Sequence, residues 1–188
     1  GEVVAGGNGS GTGANQLAYS NGFSVDATGN IYVADTNNHR IQKWAPGATE
    51  GITVAGGNGA GNAQNQLYSP FGVFVDSVGN VFVADHNASR IQKWAPGATE
   101  GETVKSVRYP TDVFVNTVGT IYVLQYYHQV TKWVSGANSG EVVAGGNGSG
   151  SAQNQLKYPN GFFVDALGSV TVADAGNHRI QKYAVSPQ

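Results

Sequence analysis

Cysteine is absent from the 188 residues, which excludes disulfides, thiolate metal sites and a cysteine nucleophile together. Methionine is absent as well, so Gly1 is not the product of untouched initiation, and the chain reads as a processed form or a segment of something longer. Charge is scarce: Asp, Glu, Lys and Arg make up 12%, the net charge is −2, and neither sign is clustered. Such a chain lacks the basic field that a phosphate backbone requires, and nucleic acid is not expected as a partner. No apolar run approaches the ~18 residues that cross a bilayer as a helix, so membrane insertion is not expected either.

Glycine, by contrast, is abundant at 28 residues, and the segments between the glycines are rich in Val, Ile, Phe and Tyr. That combination fits many short strands joined by tight turns better than it fits disorder. The chain is also self-similar, with copies at 1–50, 51–100, 101–139 and 140–188. Three copies open on a GGNG run, at Gly6, Gly56 and Gly145; the third is short and reads GETVKSVRYP instead. A period of ~20 to 50 residues is the signature of a repeat architecture, and the length suits a single domain over 1–188.

Within the first copy four β-rich runs, 2–5, 23–26, 31–35 and 40–44, are separated by turn residues such as Gly29, Asn30, Asn37 and Asn38. Asn and Gly tolerate the positive φ of tight hairpins, so consecutive runs should pair antiparallel. Four strands per copy make one blade, and radial repetition of four-stranded sheets is a β-propeller. The expected fold is therefore all-β, with four blades of four antiparallel strands, sixteen in total. Residues 2–5 match the strand that follows the Trp44-type strand, while no such strand follows Tyr183. The last blade is thus expected to be completed by the N-terminal strand, either within the chain or from a neighbouring molecule.

The residues Val25-Asp26, the segment 29–35 (GNIYVAD) and the segment 38–43 (NHRIQK), with their copies at 75–76, 79–85, 90–93, 164–165, 172–174 and 177–182, resemble the NHL-repeat family. The third copy departs from the pattern at Asn116, Gln125 and Gln129, so its hairpin must be held differently. The resemblance implies a propeller, more often closed with six blades. Its relatives include metal-dependent lyases and lactonases, with calcium or zinc near a central channel, and RNA binders with a basic face. The first strands at 23–25, 73–75, 113–115 and 162–164 are almost wholly apolar and offer no such converging ligands. No cofactor is expected; an axial calcium ion at Asp26, Asp76, Asn116 and Asp165 is the minor alternative.

Asp35 with Arg40, Asp85 with Arg90 and Asp174 with Arg179 recur at the same hairpin, which marks them as turn-holding residues rather than catalytic ones, since a catalytic site depends on residues that break a repeat. No catalytic residue is assigned, and the chain is not expected to be an enzyme. The glycine-rich runs lack the following helix that a phosphate loop needs. Trp44, Trp94, Trp133 and Tyr183 recur in register and suit packing. Asn8, Asn87 and Asn147 head Asn-x-Ser triplets in loops and are candidate glycosylation sites. In the divergent third copy Tyr109, Tyr126, Tyr127 and His128 are candidate binding residues, because aromatics stack on sugars or anchor proteins. The expectation is a secreted, extracellular module that presents repeated loops to itself, as a homo-oligomer or filament, or to an extracellular protein or glycan. The alternative is a metal-dependent enzyme of lyase or lactonase type.

Overall fold

The computed structural model describes residues 1–184. Its fifteen strands form four antiparallel sheets, the blades of a β-propeller. The first holds β1 (Ser20–Val25), β2 (Ile31–Asp35), β3 (Arg40–Trp44) and β4 (Ile52–Gly56); the second holds β5 (Pro70–Val75), β6 (Val81–Asp85), β7 (Arg90–Trp94) and β8 (Glu102–Ser106). The third holds β9 (Pro110–Val115), β10 (Ile121–Gln125), β11 (Gln129–Trp133) and β12 (Glu141–Gly145), and the fourth β13 (Gly161–Val164), β14 (Val170–Asp174) and β15 (Arg179–Tyr183). The first three blades each run from the middle of one repeat into the start of the next. The chain divides into two compact units, Gly1–Pro110 and Thr111–Gln188.

The outer strand expected for the fourth blade is not formed among the described residues. Residues 2–5 belong to no strand, and the fourth sheet has three strands where four were expected. An isolated strand gains no ladder hydrogen bonds, so a segment with strand sequence stays irregular until an edge is offered to it.

Local chemistry explains the hairpins. Between β1 and β2 the Asp26 carboxylate accepts the Thr28 and Asn30 N–H groups, each at 2.9 Å, and Gly29 supplies φ 84°. Between β2 and β3 a 3-10 turn, Thr36–Asn38, ends at His39 with φ 53°. The equivalent Ser89, His128 and His178 share that left-handed conformation, which a non-glycine residue holds only when its surroundings over-determine it.

In the first unit Tyr32, Ala34, Ile41 and Ala55 of one sheet pack against Val73, Val75, Val81 and Val83 of the next. The approach is close at Gly22, where a Cβ would lie 2.6 Å from the Phe71 carbonyl oxygen. In the second unit Tyr122, Leu124, Val130 and Ala144 share a core with Val164, Val170 and Val172. Trp44, Trp94 and Trp133 are buried, each over the glycine that precedes the outer strand; the ideal Cβ of Gly51 would sit 2.8 Å from the Trp44 ring. The middle strands β2, β6 and β10 are buried along almost their whole length and read as apolar runs, each closed by one polar residue, Asp35, Asp85 or Gln125.

Candidate functional site

The recurring Asp–Arg pair is a staple between a hairpin and the glycine-rich loop. Arg40 donates through Nε to Asp35 Oδ2 at 2.7 Å, through Nη1 to the Thr12 carbonyl at 2.9 Å, and through Nη2 to the Gly13 and Gln16 carbonyls at 2.9 and 3.2 Å. The other carboxylate oxygen accepts the Ala18 N–H at 2.7 Å. Arg90 repeats the pattern with Asp85 and the carbonyls of Asn62, Ala63 and Gln66, and Arg179 with Asp174, Ser151, Ala152 and Gln155. In the third blade the loop is gone, and so is the need for a cation to hold it. There Gln129 Nε2 and Thr131 Oγ1 both donate to Gln125 Oε1 at 2.9 Å, a neutral substitute that closes the hairpin alone.

Small differences between the staples tune their electrostatics. Asn38 and Asn177 each donate to the staple carboxylate, at 2.9 and 2.8 Å, and the bond helps hold Asp174 below the ordinary carboxylate range. The second blade has Ala88 at that position. Burial there pushes Asp85 up to about 6, against the Tyr68 N–H and Arg90. Ala88→Asn is expected to add the missing bond, lower the Asp85 pKa and stabilise the protein by about 1 kcal/mol. Urea melts of the two proteins at neutral pH check this; equal midpoints would count against it.

The side chains that sequence reading placed at a candidate cation ring are each committed to their own turn. The Asn30 side chain and neighbouring amides hold Asp26 far below its ordinary pKa, and Lys182, 3.0 Å away, lowers Asp165. Asp76 accepts the Val78 and Asn80 N–H groups, and Asn116 those of Val118 and Thr120. Among the described residues no group of three or more His, Cys, Asp or Glu side chains is placed to hold a metal ion.

The three glycosylation candidates are exposed. Asn8 Nδ2 spans its loop to the carbonyls of Gly6 and Asn15, and Asn147 does the same with Gly145 and Asn154. Asn58 makes the identical pair of bonds with no Ser two residues on, so loop geometry alone accounts for an Asn at this position. Asn87 donates to Ser69 Oγ at 3.1 Å.

Aromatic and histidine side chains gather at the hairpin tips that link β2-type to β3-type strands. In the first unit Phe71 and His86 stack at 4.0 Å, Tyr109 lies 5.4 Å from His86, and the Arg108 guanidinium sits 5.8 Å over Tyr109. Burial lowers the His86 pKa, and its Nδ1 lies 3.0 Å from the Pro110 carbonyl, to which the neutral ring donates as the Nδ1–H tautomer. In the second unit Tyr126 meets Tyr127 at 6.0 Å and His128 at 6.4 Å, and His128 meets Tyr158 edge-on at 5.4 Å. Sequence reading missed Phe71, His86 and Tyr158. The signal for the first two was present: both break the repeat in the same copy, where Asn21 and Thr36 stand in the first, and both deviations stack on each other.

A groove of about 1440 Å³ also runs through the first unit, lined by Asp26, Thr28 and Asn30, strand β4, the 76–79 turn and residues 94–99. Its lining mixes backbone, amide and apolar side chains with the charged Asp26, Arg40, Lys43 and Asp76.

The family model for the NHL repeat matches residues 17–44 and 156–183. No curated protein sequence matches the chain. Among solved structures, a chain from a crystal structure of a nidogen/laminin complex superposes with a TM-score of 0.69 at 20% identity, over 87% of this chain and 59% of that one. A protein of unknown function from Bacteroides thetaiotaomicron VPI-5482 has a TM-score of 0.69 at 20% identity, over 88% of this chain and 47% of its own. A streptogramin B lyase structure has a TM-score of 0.53 at 13% identity, over 88% and 54%. The chain thus spans about half to three-fifths of these propellers.

Proposed function

We propose, for a chain that is an NHL-repeat β-propeller, that it works as a non-enzymatic interaction module, secreted, presenting its hairpin tips and repeated loops to a protein or glycan. One observation carries the reading. The residues that break the repeat include Phe71, His86, Tyr126 and Tyr127, which lie at or beside the hairpin tips, with Tyr126 and Tyr127 each substantially exposed, while the repeated charged residues are consumed in staples and turns. Exposed aromatics with a polar edge anchor both protein and sugar partners. Support of a weaker kind comes from the nidogen/laminin complex, in which a chain of the same fold takes part in a protein complex.

The test is binding of the purified protein to arrays of extracellular proteins and glycans, followed by the Tyr126→Ser/Tyr127→Ser variant against any ligand found. Loss of a central aromatic anchor costs about 2 kcal/mol or more, so at least a tenfold weakening is expected with the fold intact. Binding unchanged in that variant would move the site elsewhere, and no binding at all would remove the reading.

A further inference from the structure

We propose that the three loop steps Asn8-Gly9, Asn58-Gly59 and Asn147-Gly148 are sites of self-modification, at which the glycine nitrogen displaces ammonia from the asparagine side chain and leaves aspartate or isoaspartate. The step takes only water as co-reactant and does not depend on the interaction-module reading.

The nucleophile is an unusually open peptide nitrogen. The Gly59 N–H has no acceptor among the described residues, and neither do those of Gly9 and Gly148. All three glycines are exposed, with φ of 80°, 78° and 76° along the chain, and a Cβ added to any of them would meet nothing within 4 Å. Water and a swinging side chain therefore both reach the nitrogen.

The same peptide group is also activated. Loss of the N–H proton puts much of the negative charge on the carbonyl oxygen of that group, and a donor already placed at the oxygen stabilises it. Gln66 Nε2 donates to the Asn58 carbonyl oxygen at 3.0 Å, and Gln16 and Gln155 do the same for Asn8 and Asn147, each at 2.9 Å. The electrophile lies next to it. Each of the three asparagines is exposed, and Asn58 Nδ2 spans its loop to the Gly56 and Asn65 carbonyls at 3.4 and 2.8 Å. Exposed bonds of this kind contribute little net, so the amide can leave them and turn to the glycine nitrogen.

In the step itself the Gly59 nitrogen gives its proton to hydroxide and bonds to the Asn58 side-chain carbon. The bond from that carbon to Nδ2 breaks, and ammonia leaves with a proton from water. Water then opens either carbonyl of the cyclic imide, with no oxidation or reduction, and a carboxylate results. That carboxylate faces the Gly56 and Asn65 carbonyls in place of a donor, so the clasp across the glycine-rich tip opens, while Arg90 keeps its hold on the Asn62, Ala63 and Gln66 carbonyls.

Two further Asn-Gly steps lie in a strand or at its start and serve as internal controls. Gly22 of β1 backs onto the Phe71 carbonyl, and Asn21 Nδ2 donates to Thr36 Oγ1 at 3.0 Å; Gly161 of β13 is laddered to Ala173. Local opening must come before either can cyclise, which slows the step about tenfold or more.

The test uses the whole chain, free of glycans, held at mildly alkaline pH and sampled by peptide mass mapping with an isoaspartate assay. Conversion at Asn8, Asn58 and Asn147 is expected to rise with pH and to run about tenfold or more ahead of Asn21 and Asn160. Gln66→Glu keeps the acceptor facing the Ala63 N–H but loses the donor, and should slow Asn58 about tenfold, the worth of one bond to a charged oxygen, with Asn8 and Asn147 as references in the same chain. Gln66→Ala, which brings in no charge, should slow it likewise. Loop and strand steps that convert together, or loop asparagines that persist, would overturn the proposal. So would faster conversion of Asn58 in both Gln66 variants, since the glutamine would then only hold the loop shut.

Discussion

Replacing Arg90 with methionine is expected to cost about 3–5 kcal/mol of stability at neutral pH, since it removes one partner of a buried ion pair and leaves the other uncompensated. Asp85 is fully buried, and Arg90 is its cationic partner at 2.8 Å. Methionine retains much of the aliphatic stem but none of the donors, so the Asn62, Ala63 and Gln66 carbonyls lose their anchor along with the carboxylate. The cost should shrink as pH falls below about 6, where burial already favours the protonated form of Asp85 and a neutral carboxyl needs no cation. Arg179→Met should cost less, about 1–2 kcal/mol, because its side chain is 29% exposed and water takes over part of its role. Urea unfolding of both variants at two pH values measures this. A loss at Arg90 under ~1 kcal/mol, or one independent of pH, would mean that the staple is not what holds the loop.

The staple also shows what could be read in advance and what could not. Repetition made the Asp–Arg pairs visible, because a group that recurs in every long copy and vanishes from the short one must serve something that only the long copies have. That something is the loop, and the loop carbonyls it binds carry no sequence signal, since any residue type presents the same carbonyl. Blade number and strand order were equally legible, because strand length, turn residues and period all pointed to one architecture. The completion of the fourth sheet was not: strand propensity in residues 2–6 says that a strand will form where an edge is available, and says nothing of which edge. The aromatic tips were half legible. Tyr126 and Tyr127 stood out because one copy diverged as a block, with Tyr109 and His128, which match Tyr19 and His39, read alongside them, whereas Phe71 and His86 sit singly in a well-matched copy and become a pair only once stacked.

A second large effect is expected at a residue whose oddity the repeat does mark. Asp112 stands where the other copies have Gly22, Gly72 and Gly161. Its carboxylate accepts the Val113 N–H at 2.9 Å, and burial pushes its pKa up to about 6. In the unfolded chain an Asp titrates near 3.9, so the folded state binds the proton more tightly across roughly pH 4 to 6. Stability from this residue is therefore fully present below about pH 4, is lost as pH rises towards 6, and stays lost above it. Asp112→Asn keeps the shape and the acceptor but carries no charge, and should raise stability by about 3 kcal/mol at pH 8, from roughly two pKa units at 1.36 kcal/mol each. At pH 4 the same substitution should be nearly neutral. Thermal melts at the two pH values decide it: a gain that appears only at high pH identifies a buried charge that the third blade carries at a cost, whereas an equal gain at both, or none at pH 8, would mean that Asp112 is solvated in the native protein.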